Sequence, residues 1–537
     1  MDSKGAVLFT SRDPLARTFL SPRAGIELQP FASGEAAKFL EHLTYEPSSS
    51  EDSASLEALT QRLGSLPLAI TQIAAVINRR DLTFSECLEQ YERESLVADL
   101  AQVSLASQSA THSYRHSLAT VWSLETLEPP ALALLELISI LDPDSISEFV
   151  LSPLAGEYTT VSYPKSASEY ESARTTLAKA SLVKRRREDK SIGIHRVVQD
   201  IARSRLTEQT LANNFTLAVL QLKQAWSENA DTKFMLSRSE WGQAEAVVAH
   251  IVKLSGLFGR RTISLDAETS ARYATLLSRG GWYLQERHNY DAAWPLLQQA
   301  LSICEKHADT MPGGHVIFAD VLIGHSSGYA GLNEPAKTLM YAGRHKEQRL
   351  IAEMENYPSN LYGMAYTEYA LALLLNERYE EAMQESEIAY SIQVKTTKYL
   401  AGDYWPHFVY FHKAWSLIGL GRASEAYDGM METLAWREAK FGIDDTTSSH
   451  TAYALQVLGR LCEEMASDTE DVSRREELKE RSFVYHQRSL RLWLEVAGTG
   501  YYRTNNIRIK LAERHAEMGH IEAARQVITM SSVLQQS

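Results

Sequence analysis

The sequence predicts a mainly α-helical protein whose C-terminal three-fifths is a solenoid of helical hairpins. Small residues recur in pairs twelve residues apart, short turns containing Gly or Asn lie between most pair members, and the pattern repeats about every 45 residues. With 44% hydrophobic and 23% charged residues in 537, the composition is that of a globular protein, and the length requires more than one domain.

The paired small residues define the repeat. A small side chain lets two helix backbones approach closely, so each pair marks a contact between the two helices of one hairpin. The pairs are Gly281/Ala293, Gly324/Ala336, Ala370/Ala382, Ala414/Ala426 and Ala512/Ala524. The last interval is double, which predicts a degenerate unit with helices His450–Met465 and Ser482–Glu495. The polar stretch Ser467–Glu480 between them is expected to be a loop or a helix extension.

These repeats resemble the tetratricopeptide (TPR) family, whose unit of about 34 residues has small and aromatic positions such as Tyr290, Ala293 and Ala300. The resemblance implies a TPR-like array over residues 208–537 that stacks into an extended concave surface. A protein or peptide bound on that concave face is the expected partner, and self-association is a further expectation. Some aromatic residues of these helices are candidates for the groove, although most are expected in the core.

Charge and composition exclude several classes of function. The 54 Lys and Arg against 68 Asp and Glu give a net charge of −14, which argues against a nucleic-acid partner. No segment has the apolar run of a signal peptide or a membrane span, so a cytoplasmic location without membrane contact is expected. Cys87, Cys304 and Cys462 lie far apart in sequence, which predicts neither a disulfide framework nor a metal site.

The N-terminal two-fifths has a different character. Ala6–Thr10 and Ile26–Pro30 are short strand candidates. Helices are expected at Ser33–Leu43 and Ser55–Leu63, within a helical domain over residues 33–105. In Leu63–Ile70, Gly64 and Pro67 end one helix and open the next.

Four segments, in order, resemble the NB-ARC nucleotide-binding switch family. Leu63–Ile70 resembles its GLPLA motif, and Val7–Asp13 resembles its sensor strand. Residues 106–207 resemble the winged-helix domain of fungal members, with His116–Leu127 at its start and Ser181–His195 as the strand–turn–strand wing before a helix. The resemblance implies that residues 1–32 are the C-terminal remnant of an α/β nucleotide-binding domain and that residues 33–105 are the family's helical ARC-like segment. The whole chain thus looks like an NLR-like (STAND) protein that lacks the N-terminal part of its nucleotide-binding domain.

The resemblance implies three residues that bind ADP or ATP. Arg12 occupies the phosphate-sensing position, Pro67 lies in the GLPLA motif, and His195 matches the histidine that approaches the β-phosphate and holds the closed, ADP-bound state. The family's Met-His-Asp triplet is Ile194-His195-Arg196 here, so the acidic residue is missing. Simpler roles stay open: a solvated arginine, a helix-initiating proline and a helix-capping histidine.

Motifs that nucleotide chemistry requires are absent from the sequence. It contains no Gly-x-x-x-x-Gly-Lys-Ser/Thr loop and no apolar strand with paired acidic residues before Val7. ADP or ATP binding is therefore expected to be weak or lost, and no enzyme activity or metal is predicted. A truncated gene model, a fragment and a degenerate relative are equally compatible with this.

The function predicted from these observations is that of an NLR-like signalling or regulatory protein whose TPR array binds a partner, with an incomplete ADP/ATP switch module. The alternative is a nucleotide-independent TPR scaffold or adaptor. A weaker alternative is a winged-helix transcription regulator that uses the basic run Lys184–Arg187, which otherwise reads as a solvated wing turn.

Overall fold

The computed structural model describes most of the chain, in ten segments: residues 28–44, 52–92, 124–154, 162–226, 241–287, 289–354, 360–402, 405–446, 448–497 and 502–529. The chain divides into two compact units with the break at residues 280–281. The first unit includes described residues 28–226 and 242–280, and the second includes residues 281–529 together with Trp241. The four-part division proposed from the sequence stays a prediction, as does the remnant at residues 1–32. Leu28–Pro30, the described part of the second strand candidate, are not in a strand.

The first unit begins with four helices over residues 33–92. Their bounds are α1 (Ser33–Leu43), α2 (Ser53–Arg62), α3 (Pro67–Arg80) and α4 (Phe84–Glu92). The first two agree with the predicted helices. Glu35 accepts a hydrogen bond from the Ala32 backbone N–H and so closes the N-terminus of α1.

Residues 124–204 combine helices with a small antiparallel sheet. The elements are α5 (Pro129–Ser139), β1 (Ile146–Ser147), α6 (Ala167–Lys179), β2 (Val183–Arg186), β3 (Ser191–Ile194) and α7 (Arg196–Ser204), preceded by a 3-10 turn at Leu124–Thr126. Strand order is β1-β3-β2, with Val183 opposite Ile194 and Ile146 opposite Ile192. The strand–turn–strand predicted for 181–195 is confirmed. The long helices α8 (Glu208–Ala225) and α9 (Trp241–Arg260) follow, and α10 (Ala267–Glu286) contains the break between the units.

The second unit continues as hairpins. Its elements are α11 (Tyr290–His307), α12 (Gly314–Gly331), α13 (Pro335–Met354), α14 (Asn360–Leu375), α15 (Tyr379–Gln393), the short α16 (Thr397–Leu400), α17 (His407–Gly419), a 3-10 turn (Ala423–Ala426), α18 (Tyr427–Phe441), α19 (His450–Asp468), α20 (Val472–Ala497), α21 (Tyr502–Glu517) and α22 (Ile521–Thr529). Apart from α16, each helix from α11 onward packs on the next in chain order. The first helices of successive hairpins also touch, α12 on α14 and α14 on α17. The prediction of a mainly α, solenoid-like fold is confirmed.

Repeated glycine contacts hold neighbouring hairpins together. Leu297 of α11 fits against both Gly281 and Gly324, where an added Cβ would lie 2.7 and 3.0 Å from its side chain. The helix α11 therefore packs between two others at positions where glycine, which has a hydrogen in place of a side chain, fits best. Tyr290 at the start of α11 lies on Gly331 at the end of α12, and Tyr379 at the start of α15 lies in the same way on Gly419 of α17.

Most of the predicted paired positions are buried, and one is not. Ala293, Ala370, Ala382 and Ala414 are fully buried, whereas Ala336 is exposed in the first turn of α13. Two residues later Thr338 is buried, and its carbonyl accepts a hydrogen bond from Ser326 of α12. The hairpin contact is therefore displaced along α13 relative to the sequence pattern.

The degenerate unit consists of α19 and α20. The polar stretch Ser467–Glu480 is mostly a helix extension, because α19 runs to Asp468 and α20 begins at Val472. Half-buried aromatic residues pack on each other between hairpins, as where Tyr390 of α15 meets Tyr410 of α17 edge to face with ring centroids 5.8 Å apart. Within the described residues, no helix combines the length and apolarity needed to cross a membrane.

Candidate functional site

The loop between α2 and α3 ends at Pro67, one of the predicted site residues. Gly64 and Ser65 both have left-handed backbones (φ +62° and +55°), and the Ser65 N–H donates to the Thr60 carbonyl at 2.9 Å, which ends α2. Pro67 is the first residue of α3, as predicted, and its side chain is exposed. The apolar residues around it, such as Leu63 and Ile70, are fully buried. Arg12 lies outside the described residues.

His195 lies directly on this loop, although the two are 131 residues apart in sequence. The His195 residue caps α7, where its Nδ1 accepts a hydrogen bond from the Val197 N–H at 3.4 Å. Its Nε2 lies 3.3 Å from the Gly64 carbonyl oxygen. Because Nδ1 accepts from an N–H, the proton of the neutral ring is on Nε2, which donates to Gly64. The structure thus places His195 on the loop that precedes Pro67, and the residue it contacts there is Gly64, not Pro67.

Gly64 is required by this contact. A Cβ built on Gly64 would overlap Cε1 and Nε2 of the His195 ring. Its positive φ independently disfavours any residue with a side chain. The glycine of the loop is therefore the surface on which the imidazole ring lies.

His195 is neutral in this setting. Burial lowers its pKa below the ordinary value, the hydrogen bond to Gly64 opposes that shift, and the nearby Arg196 adds to it. Its position at the N-terminus of α7 also disfavours a positive charge. At neutral pH the side chain can donate one hydrogen bond from Nε2, and it carries no charge.

Arg196 replaces the acidic residue of the family triplet and has a structural partner. Its guanidinium pairs with Asp144 at 2.9 Å, in the turn that follows α5. Arg196, the residue that departs from the family pattern, therefore attaches the start of α7 to the 142–144 turn.

Polar side chains fix α7 against α5. Gln199 donates to the carbonyls of Ile138 and Leu141 at 3.1 and 2.6 Å, and Arg203 donates to that of Ser139 at 3.2 Å. The last carbonyls of a helix have no partner within it, so these bonds close the C-terminus of α5. The cationic guanidinium also suits the negative end of that helix.

Asp200 fixes α7 against α4. It is 3% exposed, accepts a hydrogen bond from the Tyr91 hydroxyl at 2.8 Å, and pairs with Arg203 at 2.6 Å. Burial, with the carboxylate as a second cause, raises the pKa of Tyr91 and keeps the hydroxyl protonated as a donor. Burial and the neighbouring Arg203 and Arg62 lower the pKa of Lys253 to about 8. The Lys253 amine is therefore close to the charged side chains that surround Asp200.

Sequence reasoning missed Tyr91, Asp200 and Arg203. One signal was present: Asp200 and Arg203 are charged residues on a helix whose other residues include the buried Val197, Val198 and Ile201. A charge on such a helix requires a buried partner. No comparable signal pointed to Tyr91, because its partner lies 109 residues away.

The basic run Lys184–Arg187, which was predicted to be a turn, lies in β2 except for Arg187, and its charge is partly neutralised within the molecule. All of Lys184–Arg187 is exposed, but Arg185 pairs with Glu148 at 2.6 Å, and Arg186 donates to Ser191 and to the Asp144 carbonyl. These internal partners favour a solvated strand edge and turn over a nucleic-acid contact. A cavity of about 690 Å³ opens near β1 and is lined by residues such as Phe149, Gln224 and Gln243; it includes none of the predicted site residues. Among the described residues no group of three or more side chains could hold a metal ion.

Comparison with known proteins places the middle of the first unit in a recognised family model. The model described as Domain of unknown function (DUF7779) matches residues 122–211, the segment that contains the hairpin, His195 and Asp200. The match covers less than half of the chain and carries no functional description.

A named relative gives the resemblance its context. The chain is 26% identical over 212 residues to a "Nucleotide-binding leucine-rich repeat (NLR)-like protein" of Hyaloscypha variabilis, and the match covers 37% of this chain and 20% of the relative. The resemblance to NLR-like proteins is thus confirmed for the matched part. The chain spans about one-fifth of that relative's length.

A solved structure is also similar over most of the chain. It is a Signal Transduction ATPase with Numerous Domains (STAND) protein with a tetratricopeptide repeat sensor from Pyrococcus horikoshii, 13% identical, covering 96% of this chain and 72% of its own. The TM-score is 0.37, so the fold assignment depends on the helices described above and not on this likeness.

Proposed function

We propose that this chain is an NLR-like signalling protein in which the contact between His195 and the Gly64 loop is the retained part of an ADP/ATP-dependent switch, and in which the TPR-like array binds a protein or peptide partner. The observation that carries the proposal is the placement of the His195 ring on Gly64, since the NB-ARC resemblance assigns both segments to the nucleotide site. We also take residues 106–207 to be a winged helix, in keeping with the strand order β1-β3-β2.

The residues present fit a phosphate in one respect. Nε2 of His195 is a hydrogen-bond donor whose acceptor is a single carbonyl, that of Gly64, at 3.3 Å. A phosphate oxygen is a stronger acceptor than a carbonyl, so the donor can be transferred from Gly64 to the ligand. Bound nucleotide would supply negative charge that raises the pKa of His195, and hydrolysis is no part of the proposal.

The second candidate function is a scaffold that ignores nucleotide. It is favoured by one observation, that both ring nitrogens of His195 already have partners within the chain. In that case His195 is a helix cap, and its contact with Gly64 is a structural contact that nucleotide does not displace. Partner capture by the array would then be unaffected by ADP or ATP.

Equilibrium binding of fluorescent ADP and ATP to the full chain separates the two. The variant His195→Asn is the informative one, because Asn is a preferred N-cap and keeps α7 closed while its shorter side chain cannot reach Gly64 or a phosphate. A retained switch predicts binding in the micromolar range that weakens by about tenfold in His195→Asn, the worth of one charge-assisted hydrogen bond. No binding at millimolar nucleotide would favour the scaffold, whereas equal binding by both proteins would show that His195 does not contact the nucleotide.

A further inference from the structure

We propose that Asp200 is a positioning residue for His195: through Tyr91 and Arg203 it sets the rotation of α7 that places the His195 ring on Gly64. The consequence for a switch rests on the proposed function. The placement of the His195 ring by α7 can be tested without nucleotide.

The bonds on α7 act from two directions. Gln199 and Arg203 attach the helix to the carbonyl end of α5, and Arg203 also holds Asp200. Asp200 accepts from Tyr91 at 2.8 Å, on the last turn of α4. Residues 199 and 200 are about 100° apart around a helix, so bonds to α5 and α4 together fix its rotation. Each set restricts a direction of rotation that the other does not, in addition to the Arg196–Asp144 pair at the start of the helix.

His195 depends on that rotation because its own contacts are weak. The ring nitrogens make bonds of 3.3 and 3.4 Å, both longer than the usual 2.9–3.0 Å. The Asp200 bonds are short and buried, at 2.8 and 2.6 Å. Since Asp200 is five residues after His195, and thus little more than one turn away, a rotation at Asp200 displaces the ring directly.

The charge of Asp200 and the burial of the His195 ring change the pKa of His195 in opposite directions, so a titration can test the proposal. The Asp200 carboxylate raises the pKa of His195 through space, whereas burial on the Gly64 loop lowers it. The other charged groups around Asp200 are Arg203, Arg62 and Lys253. If Asp200 acts only through its charge, Asp200→Asn lowers the pKa of His195. If it positions α7, the ring leaves its buried place in the variant and the pKa rises.

Tyr91→Phe is the decisive variant, because it removes the bond to Asp200 without changing any charge. The experiment is a histidine-selective NMR titration of the full chain, with His195 identified among the 16 histidines by its loss in His195→Asn. We expect the pKa of His195 to rise by about half a pH unit in Tyr91→Phe, toward its ordinary value. Ser204→Ala, which removes a hydroxyl bonded only within α7, is the matched control and should leave it unchanged.

An unchanged or lowered pKa in Tyr91→Phe would overturn the proposal. Asp200→Asn is a second test, and if its loss of a buried charge prevents folding, Tyr91→Phe still decides the question. The outcome is independent of nucleotide binding. A rise in the pKa together with no nucleotide binding would keep the positioning role and reject the switch.

Discussion

The repeat array and the contacts of α7 with α4 and α5, called the junction below, both combine apolar packing with polar contacts, but only the array repeats equivalent contacts along the chain. In the array, small residues and apolar side chains interlock between neighbouring hairpins, as where Leu297 fits between Gly281 and Gly324. At α7, polar and charged side chains reach partners far away in sequence, as from Asp200 to Tyr91. Apolar contacts are non-directional and tolerate small displacements, whereas hydrogen bonds fix an orientation. The hydrogen bonds of α7 therefore hold one rotation of that helix until they break.

The largest effect is expected at Gly64. Gly64→Ala combines an unfavourable positive φ with overlap of the His195 ring, and we expect a loss of about 2–4 kcal/mol. The matched control is Gly519→Ala in the last hairpin, which has the same sign of φ and no atom within 4 Å of the added Cβ, and should cost about 1 kcal/mol. Hydrogen exchange reports each region separately. Equal costs would mean that the His195 ring does not press on Gly64.

A second prediction concerns packing in the array. Gly281→Ala should destabilise the second unit by about 1–2 kcal/mol, because its Cβ would lie 2.7 Å from Cγ of Leu297. In Gly281→Ala/Leu297→Ala we expect a favourable coupling of about 1 kcal/mol in a double-mutant cycle. Gly343→Ala, whose Cβ would meet only Tyr369 at 3.7 Å, should be neutral or stabilising. Additive effects at 281 and 297 would contradict the interlocking contact.

These two predictions separate what the sequence contains from what it does not. The Gly281, Gly324 and Ala370 positions were visible because repeats place equivalent contacts at a fixed spacing. The prediction for Ala336 was wrong, because a contact displaced along the helix does not change the pattern of residue types. His195 was placed only through family resemblance. Its contact with Gly64, and the bond from Tyr91 to Asp200, depend on how separate elements fold together, and no local pattern encodes that.

The third prediction uses pH at the junction. In the folded protein the pKa of Lys253 is lowered to about 8 from the ordinary 10.5, so the unfolded chain binds more protons between these values. Stability should therefore rise as the pH increases from about 8 to 10.5, and the contribution is lost as the pH falls back through that window. Denaturant midpoints at pH 8 and 10, compared with Lys253→Met, measure it. An identical change of the midpoint with pH in both proteins would mean that burial and the nearby arginines do not lower the pKa of Lys253.

The smallest effects on stability are expected for the basic residues of the β2–β3 hairpin. Arg185→Ala breaks a partly exposed ion pair with Glu148 and should cost less than about 1 kcal/mol, while Arg187→Ala should change stability by under about 0.5 kcal/mol. Neither should alter the behaviour of the chain toward duplex DNA, which we expect not to bind. Fluorescence anisotropy with a labelled duplex at low salt checks this. Binding that weakens steeply with salt and with Arg187→Ala would revive the transcription-regulator reading.

The central claim is that His195 on Gly64 is a neutral donor that nucleotide can recruit. Histidine-resolved NMR of the full chain, recorded with and without ADP, tests it most directly. We expect the proton on Nε2 and a pKa below the ordinary 6.5 without nucleotide, and a clear rise of that pKa when ADP is added. A His195 signal that does not respond to millimolar ADP would contradict the claim and leave His195 as a helix cap in a scaffold protein.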